Sequence, residues 1–120
     1  MDTKIVRQIE NLAESRGRFR PEAYFWVLRA LEFTRRHFRR EKHVSGKELL
    51  EGTRLLALDE YGPMAYSVFE HWGLGSSEDF GRIVFDLVEE GLLSREDQDT
   101  PADFVGGYDF ERTFLQDYPW

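Results

Sequence analysis

The segment at residues 76–108 constrains the fold of this 120-residue chain more than any other part of it. Ser76 and Asp79 are suited to begin a helix, because short polar side chains accept hydrogen bonds from the free N–H groups of a first turn. Gly91 can end that helix in the left-handed conformation. Between them, apolar residues recur at helical spacing: Phe80, Ile83, Val84, Leu87 and Val88. The segment therefore predicts a capped amphipathic helix that stops at a glycine.

Two short strands are predicted beyond that glycine, at residues 92–95 and 103–108, around the polar turn at 96–101. A helix followed by a strand, a turn and a returning strand is the order of elements in the distal half of a winged helix. The predicted fold class is therefore mainly α (α+β). It comprises a winged-helix-like unit of three helices and a small β-hairpin, preceded by two N-terminal helices.

The upstream helices are predicted at residues 3–15, 21–40, 46–60 and 63–72, from apolar periodicity and from caps such as the Ser45–Glu48 capping box. A chain of this length fits a single domain. We predict an N-terminal helical pair at 1–42, the winged-helix-like unit at 43–110 and a tail at 111–120. Phe110, Phe114 and Tyr118 are four residues apart, which predicts a last helical turn that folds back onto the domain.

The second helix carries two apolar stripes on nearly opposite sides. One stripe comprises Tyr24, Val27, Leu28, Leu31 and Phe38, and the other comprises Trp26, Ala30, Phe33 and His37. A helix that is apolar on two sides is usually buried on both, which predicts a central helix. The alternative is that the stripe around Trp26 and Phe33 binds a partner or a second copy.

Composition restricts the classes of function. The chain has no cysteine, so it can form neither disulfides nor thiolate metal sites. It has no apolar run near the roughly 20 residues that a membrane span needs, and the first ten residues lack the apolar core of a signal peptide. We therefore expect a soluble cytoplasmic protein without a membrane association.

Charge is divided unevenly along the chain. Residues 1–54 hold 13 Lys/Arg and 8 acids, whereas residues 55–120 hold 3 Lys/Arg and 15 acids. The two halves could attract each other within one fold, or they could orient a partner. The predicted outer face of the fifth helix, Arg82, Asp86 and Glu89, is acidic where a DNA-reading helix would be basic. The usual docking of a winged helix on DNA is therefore disfavoured.

Catalytic and metal sites have little support in the sequence. The three histidines have no metal-ligand spacing, and His71 beside Glu70 is the one candidate catalytic pair. The turn at residues 73–77 resembles a phosphate loop, but acidic residues already follow it at the helix start. We predict no enzymatic activity, no cofactor and no metal.

Protein binding is the predicted function: a non-enzymatic protein-interaction module whose partner is another protein or a second copy. The candidate partner-binding residues are Trp26, Phe33, Arg82, Asp86 and Glu89. The alternative is a nucleic-acid-binding regulator that uses the arginine-rich flank of the second helix. Its candidate residues are Arg35, Arg36, Arg39, Arg40 and Lys42.

Several segments together resemble a family of small uncharacterised bacterial proteins found mainly in planctomycete and verrucomicrobial lineages. The resemblance rests on HVSGKELLEG at 43–52 and on residues 24–34, 61–65, 72–73, 79–85, 88–92 and 108–110. It covers most of the chain from about residue 21. The family has no assigned activity, so the resemblance implies no catalytic or binding residues.

Overall fold

The structure of the protein is a computed structural model, and it describes residues 2–94 and 107–116. The regular elements in these ranges are, in chain order, α1 (Thr3–Arg16), α2 (Pro21–His37), α3 (Gly46–Tyr61), a 3-10 turn (Gly62–Met64), α4 (Ala65–His71), α5 (Glu78–Glu89) and a π-helical turn (Arg112–Gln116). The five predicted helices are confirmed. None of the described helices has both the length and the apolarity that a bilayer crossing demands.

Local signals in the sequence set most helix ends. The predicted capping box is confirmed, because the Glu48 N–H donates to Ser45 Oγ at 3.0 Å and the Ser45 N–H donates to Glu48 Oε1 at 3.0 Å. The predicted end of the fifth helix is also confirmed, since α5 stops at Glu89 and Gly91 adopts φ +76°. That helix begins one residue later than predicted, with Ser77 in place of Ser76 at the N-cap.

The predicted central helix is confirmed as α2, which packs against α1, α3 and α5. Both of its apolar stripes contribute fully buried side chains, including Tyr24, Trp26, Val27 and Ala30. The helix ends at His37, before the predicted Arg40, because Phe38 and Arg39 leave the helical path. Phe38, which was predicted on the first stripe, is the C-cap residue of α2 and is half-buried.

The backbones of α2 and α3 approach closely at Gly52. A Cβ atom at this position would lie 1.7 Å from Thr34 Oγ1, so only a glycine fits without rearrangement. The Thr34 hydroxyl donates to the Ala30 carbonyl at 2.6 Å, which fixes the position of that oxygen. Gly52 therefore sets the distance between the two longest helices of the core.

The predicted β-hairpin is wrong where the structure describes it, because residues 92–94 and 107–108 form no strand. The N–H groups of Leu92 and Leu93 both donate to the Leu87 carbonyl, at 2.9 and 3.3 Å. These donors complete the end of α5, so they are not available to a neighbouring strand.

The described end of the second predicted strand, residues 107–108, also bonds to α5 and not to a strand. The Tyr108 N–H donates to Ser77 Oγ, at the start of α5, at 3.3 Å. The rest of the predicted hairpin, residues 95–106, lies outside the described residues. The regular elements in the described part of the chain are all helical, so the prediction of an α+β winged-helix-like unit is wrong.

The C-terminal turn completes the core, as predicted for the tail. Phe110 and Phe114 are 5% and 0% exposed. Their ring centroids lie 5.2 and 5.5 Å from that of Phe69 in α4. Tyr118, the third residue of the predicted spacing, lies outside the described residues. The turn therefore joins an aromatic cluster that also includes Trp26 and Phe80.

Candidate functional site

The outward side of α5 carries Arg82, Phe85 and Glu89, at spacings of three and four residues, and we call these three the α5 outer face. Phe85 is 45% exposed, whereas the other large apolar side chains of α5 are buried in the core. Arg82 donates to Asp79 Oδ1 at 2.6 Å, so its charge is matched within the helix. Arg82 and Glu89 are exposed, as a partner-binding surface requires.

Asp86 was predicted on this face, and the structure corrects the prediction. Its side chain points into the molecule, where it accepts a hydrogen bond from Tyr24 Oη at 2.7 Å and lies 3.6 Å from Arg16 Nε. Asp86 is 8% exposed. Burial raises the pKa of the Tyr24 hydroxyl, and the bond to Asp86 raises it further. The carboxylate therefore joins α1, α2 and α5 and does not present a docking contact.

Trp26 is a second correction. It is 2% exposed, and its ring centroid lies 5.1 Å from that of Phe69. Its indole N–H donates to Glu60 Oε1 at 2.9 Å. Trp26 belongs to the core and cannot contact a partner without unfolding. Phe33 is half-buried and stacks on His37, with ring centroids 5.9 Å apart, so it is at most the margin of a surface.

The residues predicted for the nucleic-acid alternative lie together where α2 ends: Arg35, Arg36, Arg39, Arg40 and Lys42. We call these five residues and Phe38 the basic end of α2. Two carboxylates neutralise part of it. Glu32 accepts from Arg35 at 2.6 Å and lies 3.4 Å from Arg36, while Glu48 accepts from Arg40 at 2.8 Å.

Two cations of the basic end are not paired with a described carboxylate. Arg39 and Lys42 are exposed, and neither forms an ion pair with a described residue. Arg39 is the one described residue other than glycine with a positive φ, at 56°. The basic end is therefore a mixed surface with a small positive excess.

The turn before α5 does not hold a phosphate site. Asp79 Oδ2 accepts the Gly75 N–H at 2.7 Å and the Ser76 N–H at 3.2 Å, so a carboxylate already occupies the donors that an anion would use. An open cleft of about 380 Å³ lies beside this turn. It is lined by phenols, hydroxyls and carboxylates, including Tyr66, Ser76, Glu78, Tyr108, Asp109 and Glu111.

Tyr108 forms the inner wall of that cleft. Its hydroxyl is within 2.9 Å of Thr53 Oγ1, and burial raises its pKa. No group of three or more histidine or carboxylate side chains among the described residues could hold a metal ion. His71, the candidate catalytic residue, is exposed. The specific catalytic pair suggested by the sequence therefore has no support in the geometry.

Sequence reasoning missed the exposed Phe85, and it placed the half-buried Phe38 within the second helix. For Phe85 a signal was present, because the three-and-four spacing from Arg82 to Phe85 to Glu89 places the aromatic ring between two charged residues. For Phe38 the apolar periodicity of α2 was misleading, because the helix ends at His37.

No family model matches the chain, and neither curated proteins nor solved structures gave a significant match. The resemblance to the planctomycete and verrucomicrobial family stays a prediction.

Proposed function

We propose that this protein is a non-enzymatic, cytoplasmic interaction module that binds a protein partner through the α5 outer face. The observation that supports the proposal is the exposure of Phe85 on a helix whose other large apolar side chains are buried. An exposed aromatic ring surrounded by charged residues has the composition of an interface centre with a polar rim. Phe85, Arg82 and Glu89 are the residues that would contact the partner.

The experiment that tests this proposal places a photo-crosslinking amino acid at position 85 and, as a control, at position 64. Met64 is 61% exposed and lies on the 3-10 turn, away from α5. We expect crosslinks to a protein of defined size from position 85 and not from position 64. A Phe85→Ser variant should lose capture of the same protein, and a Met64→Ser variant should keep it.

Trp26 was also a predicted partner-binding residue, but a variant at Phe85 tests binding better. Trp26→Ala would remove a buried side chain from the aromatic cluster, which typically costs about 3–5 kcal/mol, so loss of binding would report unfolding. Equal crosslinking from positions 85 and 64, with unchanged capture by Phe85→Ser, would refute the proposed surface.

The nucleic-acid alternative rests on Arg39 and Lys42, whose charges are not matched by a described carboxylate. Its test is the salt-dependent binding of labelled duplex and single strands, with Arg39→Glu and Lys42→Glu combined as the variant. Binding that is lost in the double variant would favour this alternative, and the absence of binding at low salt would remove it.

A further inference from the structure

Two phenylalanines, the exposed Phe85 and the half-buried Phe38, lie on surfaces of opposite charge. Phe85 lies in the stretch 78–90, which holds five acidic residues and one arginine. Phe38 lies in the stretch 32–48, which holds six Lys/Arg and three glutamates. Each surface therefore combines an aromatic ring with an excess of one sign of charge, and the two signs are complementary.

The unmatched charges lie close to the rings. Glu89 and Glu90 are exposed at the end of α5 and form no ion pair with a described residue. Arg39 and Lys42, beside Phe38, are also exposed and form no ion pair with a described residue. Charges of the other sign are fewer. Arg82 is paired with Asp79, and Glu32 is paired with Arg35 and Arg36, which leaves Glu41 as an exposed carboxylate beside the basic end. A contact between the surfaces would bring unmatched anions next to unmatched cations.

The two surfaces lie too far apart to meet within one molecule. Tyr24 contacts Asp86, the neighbour of Phe85, whereas Phe38 lies 14 positions further along the chain from Tyr24. At 1.5 Å of rise per residue, this separation is roughly 20 Å. A contact between the α5 outer face and the basic end therefore requires two copies of the chain.

We infer that the partner of the α5 outer face is a second copy of this chain, bound through its basic end of α2. The inference rests on the proposed function, because it names the partner of the same surface. Complementary charge is the observation that selects this occupant, since it aligns a docking contact and excludes unlike partners. Phe85 of one copy would lie against Phe38 of the next.

Such a contact joins two different surfaces, so each bound copy still presents one free surface of each kind. Contacts of this type extend into chains unless the rotation between copies closes a ring. Each surface is small, so we expect weak association that depends on protein concentration.

The test uses two variants that each disable one surface. Phe85→Lys disables the α5 outer face, and Phe38→Asp disables the basic end. We expect the average mass of the wild type to rise with concentration beyond that of a dimer. Each variant alone should remain a monomer, and their equimolar mixture should form a dimer that grows no further. Light scattering after gel filtration measures all four masses, with Met64→Ser as a control that should associate like the wild type.

A mixture of the two variants that stays monomeric while the wild type associates would overturn the inference, as would a wild type that stays monomeric at every concentration. The charge pair Glu89→Lys and Arg39→Glu repeats the test with exposed residues only, and circular dichroism checks that every variant is folded. Crosslinks from position 85 to a different protein, with a monomeric wild type, would refute self-association and leave the proposed function intact. No crosslink to any protein would refute both.

Discussion

The carboxylate of Asp86 links α5 to Tyr24 in α2 and to Arg16 in α1. Asp86 is 8% exposed and accepts a hydrogen bond at 2.7 Å from Tyr24, 62 positions earlier in the chain. A buried carboxylate without partners would be strongly destabilising. The phenol of Tyr24 and the guanidinium of Arg16 together make its burial possible.

Tyr24→Phe should lower the free energy of unfolding by about 1.5–3 kcal/mol, because it removes a hydrogen bond to a charged group. Urea denaturation measures the change. Tyr66→Phe is the matched control, since the Tyr66 hydroxyl makes no hydrogen bond to a described residue, and its effect should stay within about 0.5 kcal/mol. Equal effects of the two variants would show that the Tyr24 hydroxyl does not stabilise Asp86.

The same contact explains why the predicted α5 outer face was wrong by one position. The sequence places Phe85 and Asp86 next to each other, and polarity alone favours burial of the phenylalanine and exposure of the aspartate. The tertiary partner Tyr24 reverses this preference. No local pattern could indicate a hydrogen-bond donor that lies 62 positions away.

At the scale of the elements, the boundaries that depend on local chemistry were predictable. The Ser45–Glu48 capping box and the glycine stop at Gly91 both act within a few residues. The lack of a strand at residues 92–94 was not predictable, because it depends on the N–H groups of Leu92 and Leu93, which donate back to the Leu87 carbonyl in α5. An apolar run after a glycine indicates a strand equally well whether or not its N–H groups are already committed.

Gly52→Ala should destabilise the protein although alanine is the better helix former. The new Cβ would lie 1.7 Å from Thr34 Oγ1, and overpacking of this kind typically costs about 1–3 kcal/mol. A thermal melt measures the loss. Gly75→Ala is the control, because its nearest contact is 3.7 Å away at Asp79. An unchanged melting temperature for Gly52→Ala would mean that α2 and α3 can separate at no cost.

Gly91→Val should cost on the order of 1–2 kcal/mol, because a β-branched residue is strained in the left-handed region. No atom lies within 4 Å of a Cβ built at Gly91, so the cost is conformational and not steric crowding by neighbours. Gly91→Asn should therefore cost less than valine, since asparagine tolerates this conformation. Equal denaturation midpoints for the two variants would contradict a left-handed residue at this position.

For the whole molecule, the uneven charge of the two halves is partly used inside the fold. Arg16 pairs with Asp86, and Arg29 pairs with Glu60, so both ion pairs join the basic half to the acidic half. Attraction within the fold, one of the two interpretations of the charge pattern, therefore has direct support. The charges that remain unmatched on the described surface include Arg39, Lys42, Glu89 and Glu90, which the proposed interactions use.

Stability should fall as the solution becomes acidic, and Glu48 and Glu51 should contribute to the fall. The hydrogen bond from Arg40 lowers the pKa of Glu48, and the bond from Arg54 lowers that of Glu51, in each case from an ordinary value of 4.5. Below pH 4.5 the unfolded chain binds protons at these carboxylates before the folded protein does. Unfolding therefore becomes easier as pH falls, until the folded carboxylates are protonated as well.

Glu48→Gln should make this acid dependence shallower, because the variant removes one of the protons that unfolding takes up. Urea midpoints measured from neutral pH to below 4.5 give the slope. Glu14→Gln, at an exposed carboxylate without an ion pair to a described residue, is the control. Identical slopes for the two variants would contradict a role of the Arg40–Glu48 pair.

The C-terminal turn also determines when this protein can fold during its synthesis. Phe110 and Phe114 fill the space beside Phe69, so the helices made earlier leave that side of the core open to water. We therefore expect the nascent chain to complete its core only after residue 114 has left the ribosomal tunnel. Until then, we expect the helices made earlier to expose aromatic side chains of the kind that chaperones bind.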